Sequence, residues 1–314
     1  MLWQPRRCGY QGDDDGDGVV DTRGPFLEHL NQPFGMVELG GYLYVANTDA
    51  VVRYPFQAGV TRITAPGETI LELPYHAEDN GHWTRNLIAS RDGTKLYVSV
   101  GSASNIADYG MEVEAGRAAI HEFNPDGSGD RIFASGLRNA NGMDWEPSTG
   151  VLWTAVNERD MLGPDLVPDY MTSVRDGGFY GWPWLYWGDH PDPRFAAEER
   201  PVSQALKPDY ALGAHTASLG LVFYDGADFP APYRGGVFIG QHGSWNRMIP
   251  SGYQVLFVPF ANGEPAGMPE VFLSGFLNAE GAAQGRPVGV ALDRTGALLV
   301  ADDAGDMIWR VAAD

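Results

Sequence analysis

Imidazole, guanidinium and amide groups recur in short Gly-flanked segments of this 314-residue chain. In Gly81-His82-Trp83-Thr84-Arg85-Asn86, His82 has an ordinary pKa near neutrality, which suits a general base. A hydrogen-bonded rim histidine is the plainer reading of the same residue. Gly136-Leu137-Arg138-Asn139-Ala140-Asn141-Gly142 sets a planar guanidinium fork, suited to carboxylates, beside amides that both donate and accept. Taken alone, it reads as an Asn-rich turn with a surface ion pair. Gln241-His242-Gly243-Ser244-Trp245-Asn246-Arg247 follows a β run directly and is denser in polar and aromatic groups than a simple turn. Arg286 precedes Pro287-Val288-Gly289. Arginines meeting at one axis in a chain of net charge −20 imply a bound anion, a polycarboxylate or phosphate.

Two segments suit a hard cation. Asn157 through Asp165 contains Gly163-Pro164, a turn that exposes backbone carbonyls suited to Ca²⁺. An ordinary loop is the alternative. Asp13, Asp15, Asp17, Gly18 and Asp21 match positions 1, 3, 5, 6 and 9 of a calcium loop, but position 12 is Gly24 rather than Glu. That segment reads either as a structural calcium loop or as a solvated acidic turn. Gly177 through Trp184 is rich in aromatics that either stack on a sugar or planar cofactor or pack the loop.

Other chemistries are unsupported. The chain has no G-x-S-x-G elbow, P-loop, H-E-x-x-H or Rossmann fingerprint. Cys8 is the single cysteine, so no intrachain disulfide forms. The acidic balance argues against nucleic acid or an anionic membrane as partner. No apolar run reaches the roughly 18 residues of a membrane span. The first residues lack the apolar stretch of a signal peptide.

The elements that position these groups repeat. Each unit has a lead-in, a Gly-containing turn and a short β run, as in Pro33-Phe34-Gly35-Met36, Gly40-Gly41, then Leu43-Tyr44-Val45. Gly35, Leu87, Gly142, Gly220 and Gly289 mark five lead-ins that lie 52, 55, 78 and 69 residues apart. Further short strands follow each, bounded by turns. Four strands per unit, repeated radially, make an all-β protein, a β-propeller. The spacings exceed the ~40–50 residues of a bare blade. The excess predicts a long insertion over 156–218 on the active-site face. No linker divides the chain, so 1–314 reads as one domain. Residues 22–30 resemble the last strand of an earlier, incomplete N-terminal blade.

With these segments in place, the sequence resembles the pyrroloquinoline quinone (PQQ) dependent sugar dehydrogenases, in the L-sorbosone and pyranose dehydrogenase branch related to soluble glucose dehydrogenase. The resemblance runs from about residue 13 to the C-terminus. It implies a six-bladed fold, here five full blade units plus a partial first blade, with PQQ and Ca²⁺ on one face. It implies His82 as the general base and Arg138, Asn139 and Arg286 as cofactor contacts. Gly163 and Pro164 would give carbonyls to Ca²⁺. The family's lysine is absent near Gln241, which leaves His242, Trp245, Asn246 and Arg247 as cofactor-side candidates. The implied partners are a sugar substrate and an external electron acceptor, and the implied location is the periplasm or outside the cell. Two rivals stay open: a non-catalytic propeller that binds carbohydrate or protein, and a calcium-dependent lactonase-type hydrolase using residues such as Asn139 and Asp302.

Overall fold

A computed structural model of the protein describes residues 6–78, 80–195 and 205–313. Five antiparallel sheets stand in a ring. The first blade consists of Met36–Leu39, Tyr42–Ala46, Ala50–Pro55 and Glu68–Glu72. The second is Leu87–Ala89, Leu96–Val100, Ala119–Phe123 and Arg131–Ser135, with Gly178–Phe179 added in parallel at its outer edge. Asn139–Trp145, Leu152–Asn157, Pro168–Ser173 and Tyr210–Ala214 form the third. The fourth contains Ser218–Phe223, Val237–Gln241, Gln254–Val258 and Glu270–Leu273. The fifth has three strands, Pro287–Leu292, Leu298–Asp302 and Met307–Val311.

These blades are the five units read from the repeat. Strands second from the axis are continuous apolar runs because a neighbouring blade covers each of their faces. Leu96–Val100 is buried at every position. Tyr44 and Val51 of the first blade pack with Leu96 and Val98 of the second. Tyr97 and Ile120 pack with Met143 and Tyr170, and Trp153 and Met171 with Leu221 and Ile239. Phe238 and Phe257 pack with Leu298 and Val300. Each such side chain contributes about 1.5–3 kcal/mol by leaving water.

The strand expected within 22–30 is Thr22–Glu28, and it is not alone. It pairs with Arg7–Gly12, which sequence reading missed because Arg-Cys-Gly-Tyr-Gln-Gly shows no apolar alternation. The hairpin packs Cys8, Leu27 and Leu30 against Leu43, Val45 and Tyr54 of the first blade. The span 156–218 is not all insertion, since it holds the third blade's two outer strands. Its aromatics pack the loop. Tyr180 and Trp182 are buried, and the Trp182 indole N–H donates to Asn105 O.

Three lead-in glycines let the inner strands of neighbouring blades approach closely around the axis. A Cβ on Gly142 would lie 2.4 Å from Leu219 O and Leu221 N. On Gly220 it would lie 2.4 Å from Val288 O, and on Gly35 2.3 Å from Leu87 N. Since those contacts are backbone, Gly142→Ala should destabilise the fold by about 1–3 kcal/mol, the usual cost of overpacking. The shift in denaturant midpoint measures it.

Candidate functional site

Within each blade the N-terminal end of the inner strand pairs with the C-terminal end of the next strand. Asn139 faces Asn157, Ser218 faces Gln241, and Pro287 faces Asp302. The loops before inner strands and after second strands therefore share one face. That face carries His82, Arg138, Asn139, His242 and Arg286, and a channel of about 720 Å³ opens there. His82, Asn139, Asn157, His242, Asp302 and Asp303 line its mouth, and Met36, Met143, Leu221 and Val290 line it deeper.

His82 is held in one tautomer. Its Nδ1 lies 2.9 Å from both Ser102 O and Ser102 Oγ. The carbonyl can only accept, and the hydroxyl already donates to Ser104 O at 2.7 Å. Nδ1 therefore carries the proton, and Nε2 keeps its lone pair. Burial holds the His82 imidazole well below the usual histidine range, and the charges of Arg138, Arg117 and Arg85 push it the same way against the Ser102 bond. A neutral imidazole lining the channel is the form a general base requires.

Asn139 sits beside it. Its Oδ1 is buried without a hydrogen-bond partner, as is that of Asn141. A Cβ on Gly101 would lie 2.5 Å from Asn139 Oδ1 and 2.6 Å from the His82 Cβ, so glycine leaves room for both side chains.

The fourth and fifth blades supply a cationic wall. Arg286 Nη1 lies 3.3 Å from His242 Nδ1, and Nη2 donates to the Tyr253 hydroxyl at 3.0 Å. The guanidinium also sits 4.9 Å over the Tyr253 ring. His242 Nε2 lies 2.9 Å from an Asp303 oxygen. The Asp302 carboxylate is spent locally, accepting from Arg286 N, Gly305 N and the Trp309 indole.

Arg138 is buried, and protein groups take its donors. Nε and Nη2 bond Asn105 O and Oδ1, while Nη1 bonds Asn157 O and Glu158 O. Asp160 lies 3.7 Å from Nη2. The guanidinium thus ties the third-blade loop to the 101–118 loop and sends its charge toward His82. Arg247 likewise donates to Ala214 O and lies 3.4 Å from Asp165, and Asn246 donates to Asp160. Trp245 is exposed at the loop tip. Gly163 and Pro164 are exposed, and the Gly163 carbonyl accepts from His215 Nε2 at 2.9 Å. Asp13, Asp15 and Asp21 bring their carboxylates together at the turn of the N-terminal hairpin, whereas Asp17 bonds Val19 N. The channel-lining Arg7 is at the hairpin's other end.

Two buried carboxyls lie behind the loop. Burial pushes Glu158 up to about 7 and Asp169 up to about 6. A raised carboxyl binds a proton in the folded state that the unfolded chain has already lost, so stability falls as pH rises through that window. Between pH 4.5 and 7 Glu158 should cost up to about 3 kcal/mol. Glu158→Gln should reduce that slope in urea titrations run at both pH values, leaving the share of Asp169.

Sequence reasoning missed Ser102, Glu114, Arg117 and Tyr253, and gave Arg85 no role of its own within the 81–86 segment. The roles of the first four depend on contacts that leave no period or motif.

A family profile described as TrAA12-like matches residues 11–168 and 195–314. The chain belongs to this family. A curated relative, an uncharacterized protein of Borreliella burgdorferi, is 30% identical over 232 residues, covering 73% of this chain. The chain spans 60% of that relative's length. The calcium structure of the Trichoderma reesei Carbohydrate-Active Enzymes Family AA12 protein superposes with a TM-score of 0.81 at 20% identity, covering 98% of this chain and 87% of that one. The holo pyranose dehydrogenase PQQ domain of Coprinopsis cinerea gives 0.75 at 20% identity, over 98% and 88%. A crystal structure of a glucose dehydrogenase gives 0.74 at 18% identity, over 99% and 91%. The TrAA12-like chain shares the fold of PQQ sugar dehydrogenases.

Proposed function

We propose that this TrAA12-like propeller is a PQQ- and Ca²⁺-dependent sugar dehydrogenase acting on an aldose or sorbosone-type substrate, working in the periplasm or outside the cell. The carrying observation is the pairing of a neutral, Nδ1-protonated His82 with the His242–Arg286 wall on one channel mouth. The residues present fit a planar polycarboxylate. Arg286 offers cationic N–H groups, and Asn139 Oδ1 is a buried acceptor without a partner. Bound PQQ would accept the hydride, with its carbonyl polarised by Ca²⁺ as Lewis acid. Arg286 would hold a carboxylate, Asn139 would take an N–H or bridging water, and the Gly163 and Pro164 carbonyls would face the cation. Trp245, Asn246 and Arg247 would border the cofactor from the fourth-blade loop. Arg138 would act from behind, through its charge and its hold on the loops. His82 Nε2 would take the proton from the sugar hydroxyl as hydride leaves carbon, and an external acceptor would carry the electrons away.

Dye-linked oxidation of a sugar panel after loading with PQQ and Ca²⁺ tests this reading. Chelation should abolish the activity and Ca²⁺ should restore it. Activity unaffected by chelation would remove the cation from the proposal. The exposed Trp245, in the loop that follows His242, supports the rival reading of a carbohydrate-binding propeller. Sugar binding without quinone uptake would select it. A lactonase-type site is less well supported, since Asp302 already serves three local donors.

A further inference from the structure

The 101–118 loop folds back behind His82, and its bonds converge on the ring. The Ser102 amide donates to Arg138 O at 2.8 Å. Its carbonyl and hydroxyl face His82 Nδ1. The Glu114 carboxylate, itself buried, accepts from Ala103 N at 2.8 Å, Ser104 N at 3.2 Å and Ser104 Oγ at 3.3 Å. Gly81 N donates to Ala103 O at 2.8 Å, which ties the histidine's own segment to the clamped one. Arg117 reaches Gly101 O through Nε, while its Nη2 lies 3.4 Å from Ser102 O and 3.5 Å from His82 O. Arg85, fully buried, donates to His82 O at 2.7 Å.

A surface loop would not need so many buried ionic groups. Burying a carboxylate and two guanidiniums without a direct ion pair among them is costly, and the cost is met only by their hydrogen bonds. Those bonds fix the Ser102 carbonyl and the His82 backbone relative to each other. The only freedom left to the ring is its own torsions, which the two acceptors of Ser102 restrict.

We propose that Ser102 and Glu114 are positioning residues, which hold His82 as the Nδ1–H tautomer with the Nε2 lone pair turned to the channel. Glu114 acts through the peptide groups of residues 103 and 104, and Ser102 acts on the ring directly. Arg85, Arg117 and Arg138 face the same imidazole from the 80–86, 101–118 and third-blade segments; the carboxylates that face them are Asp49 for Arg85, Glu114 for Arg117 and Asp160 for Arg138. The catalytic meaning of the device rests on the dehydrogenase reading above, whereas the tautomer itself does not.

Nitrogen-detected imidazole NMR on the full chain tests it without substrate, with the His82 signals assigned from a His82→Gln variant. The wild type should show Nδ1 protonated and Nε2 bare at neutral pH. Glu114→Gln replaces one acceptor by a donor that faces the Ala103 and Ser104 amides. It should mix the two tautomers and lower kcat by about 10–100-fold, less than the ~10⁴ of a fully misprotonated base. Ser102→Ala keeps the carbonyl and loses one acceptor. It should speed exchange of the Nδ1 proton with water about five- to tenfold, the factor carried by a hydrogen bond of ~1 kcal/mol. An Nε2–H tautomer in the wild type would overturn the proposal. So would an unchanged tautomer and exchange rate in both folded variants. If Glu114→Gln does not fold, the Ser102→Ala exchange rate decides. Correct tautomers with no sugar oxidation would leave this inference standing and remove the dehydrogenase reading instead.

Discussion

Replacing His82 by alanine should lower kcat for dye-linked sugar oxidation by about 10²–10⁴-fold while quinone uptake persists, as loss of a general base does. Its depressed proton affinity sets the sign of the pH profile. The imidazole is held below its ordinary value, so the base form predominates at neutral pH and fails only as pH falls through the folded-state pKa, below 6.5. Wild-type kcat/KM should therefore be flat above neutrality and fall on the acid side. The alanine variant should lose that acid limb along with its rate. Stability follows the same sign, because a protonated His82 is disfavoured in the fold and its contribution is lost as pH falls below 6.5. Unchanged turnover in His82→Ala would place the base elsewhere.

Arg286→Leu should weaken PQQ binding by about 10–100-fold, since a hydrogen bond to a charged group contributes roughly 1.5–3 kcal/mol. The loss should exceed that of Arg138→Leu per unit of folded protein. Arg286 keeps its weaker bonds to His242 and Gly243, at 3.3–3.5 Å, and a ring beneath it, all exchangeable for a ligand carboxylate. The donors of Arg138 are committed to backbone and amide oxygens, so its removal should appear mainly as lost stability. Equal binding by wild type and Arg286→Leu, measured by quinone titration, would show that the cationic wall holds no anion.

Much of the ring was legible because the repeat is covalent in pattern. Gly35, Gly142 and Gly220 recur where inner strands nearly touch, and only a residue without Cβ fits there. The apolar runs Leu96–Val100 and Val237–Gln241 announce strands covered on both faces. Arg7–Gly12 was hidden because two glycines and polar residues break its period, and its apolar anchor is Cys8 alone. In the site, residue types marked the segments but not the direction of each side chain. An arginine near an axis can face a ligand or a carbonyl, and Arg138 faces carbonyls. Ser102 and Glu114 carry no spacing signal because their partners come from a loop that returns to the 80–86 segment.

The most direct measurement is a titration of the Ca²⁺-loaded protein with PQQ, followed by quinone absorbance before and after addition of an aldose. A saturable spectral change at one quinone per chain, then conversion to the reduced spectrum when sugar is added, is the predicted result. A spectrum indistinguishable from free PQQ at every protein concentration, in a sample whose fold is intact, would contradict it.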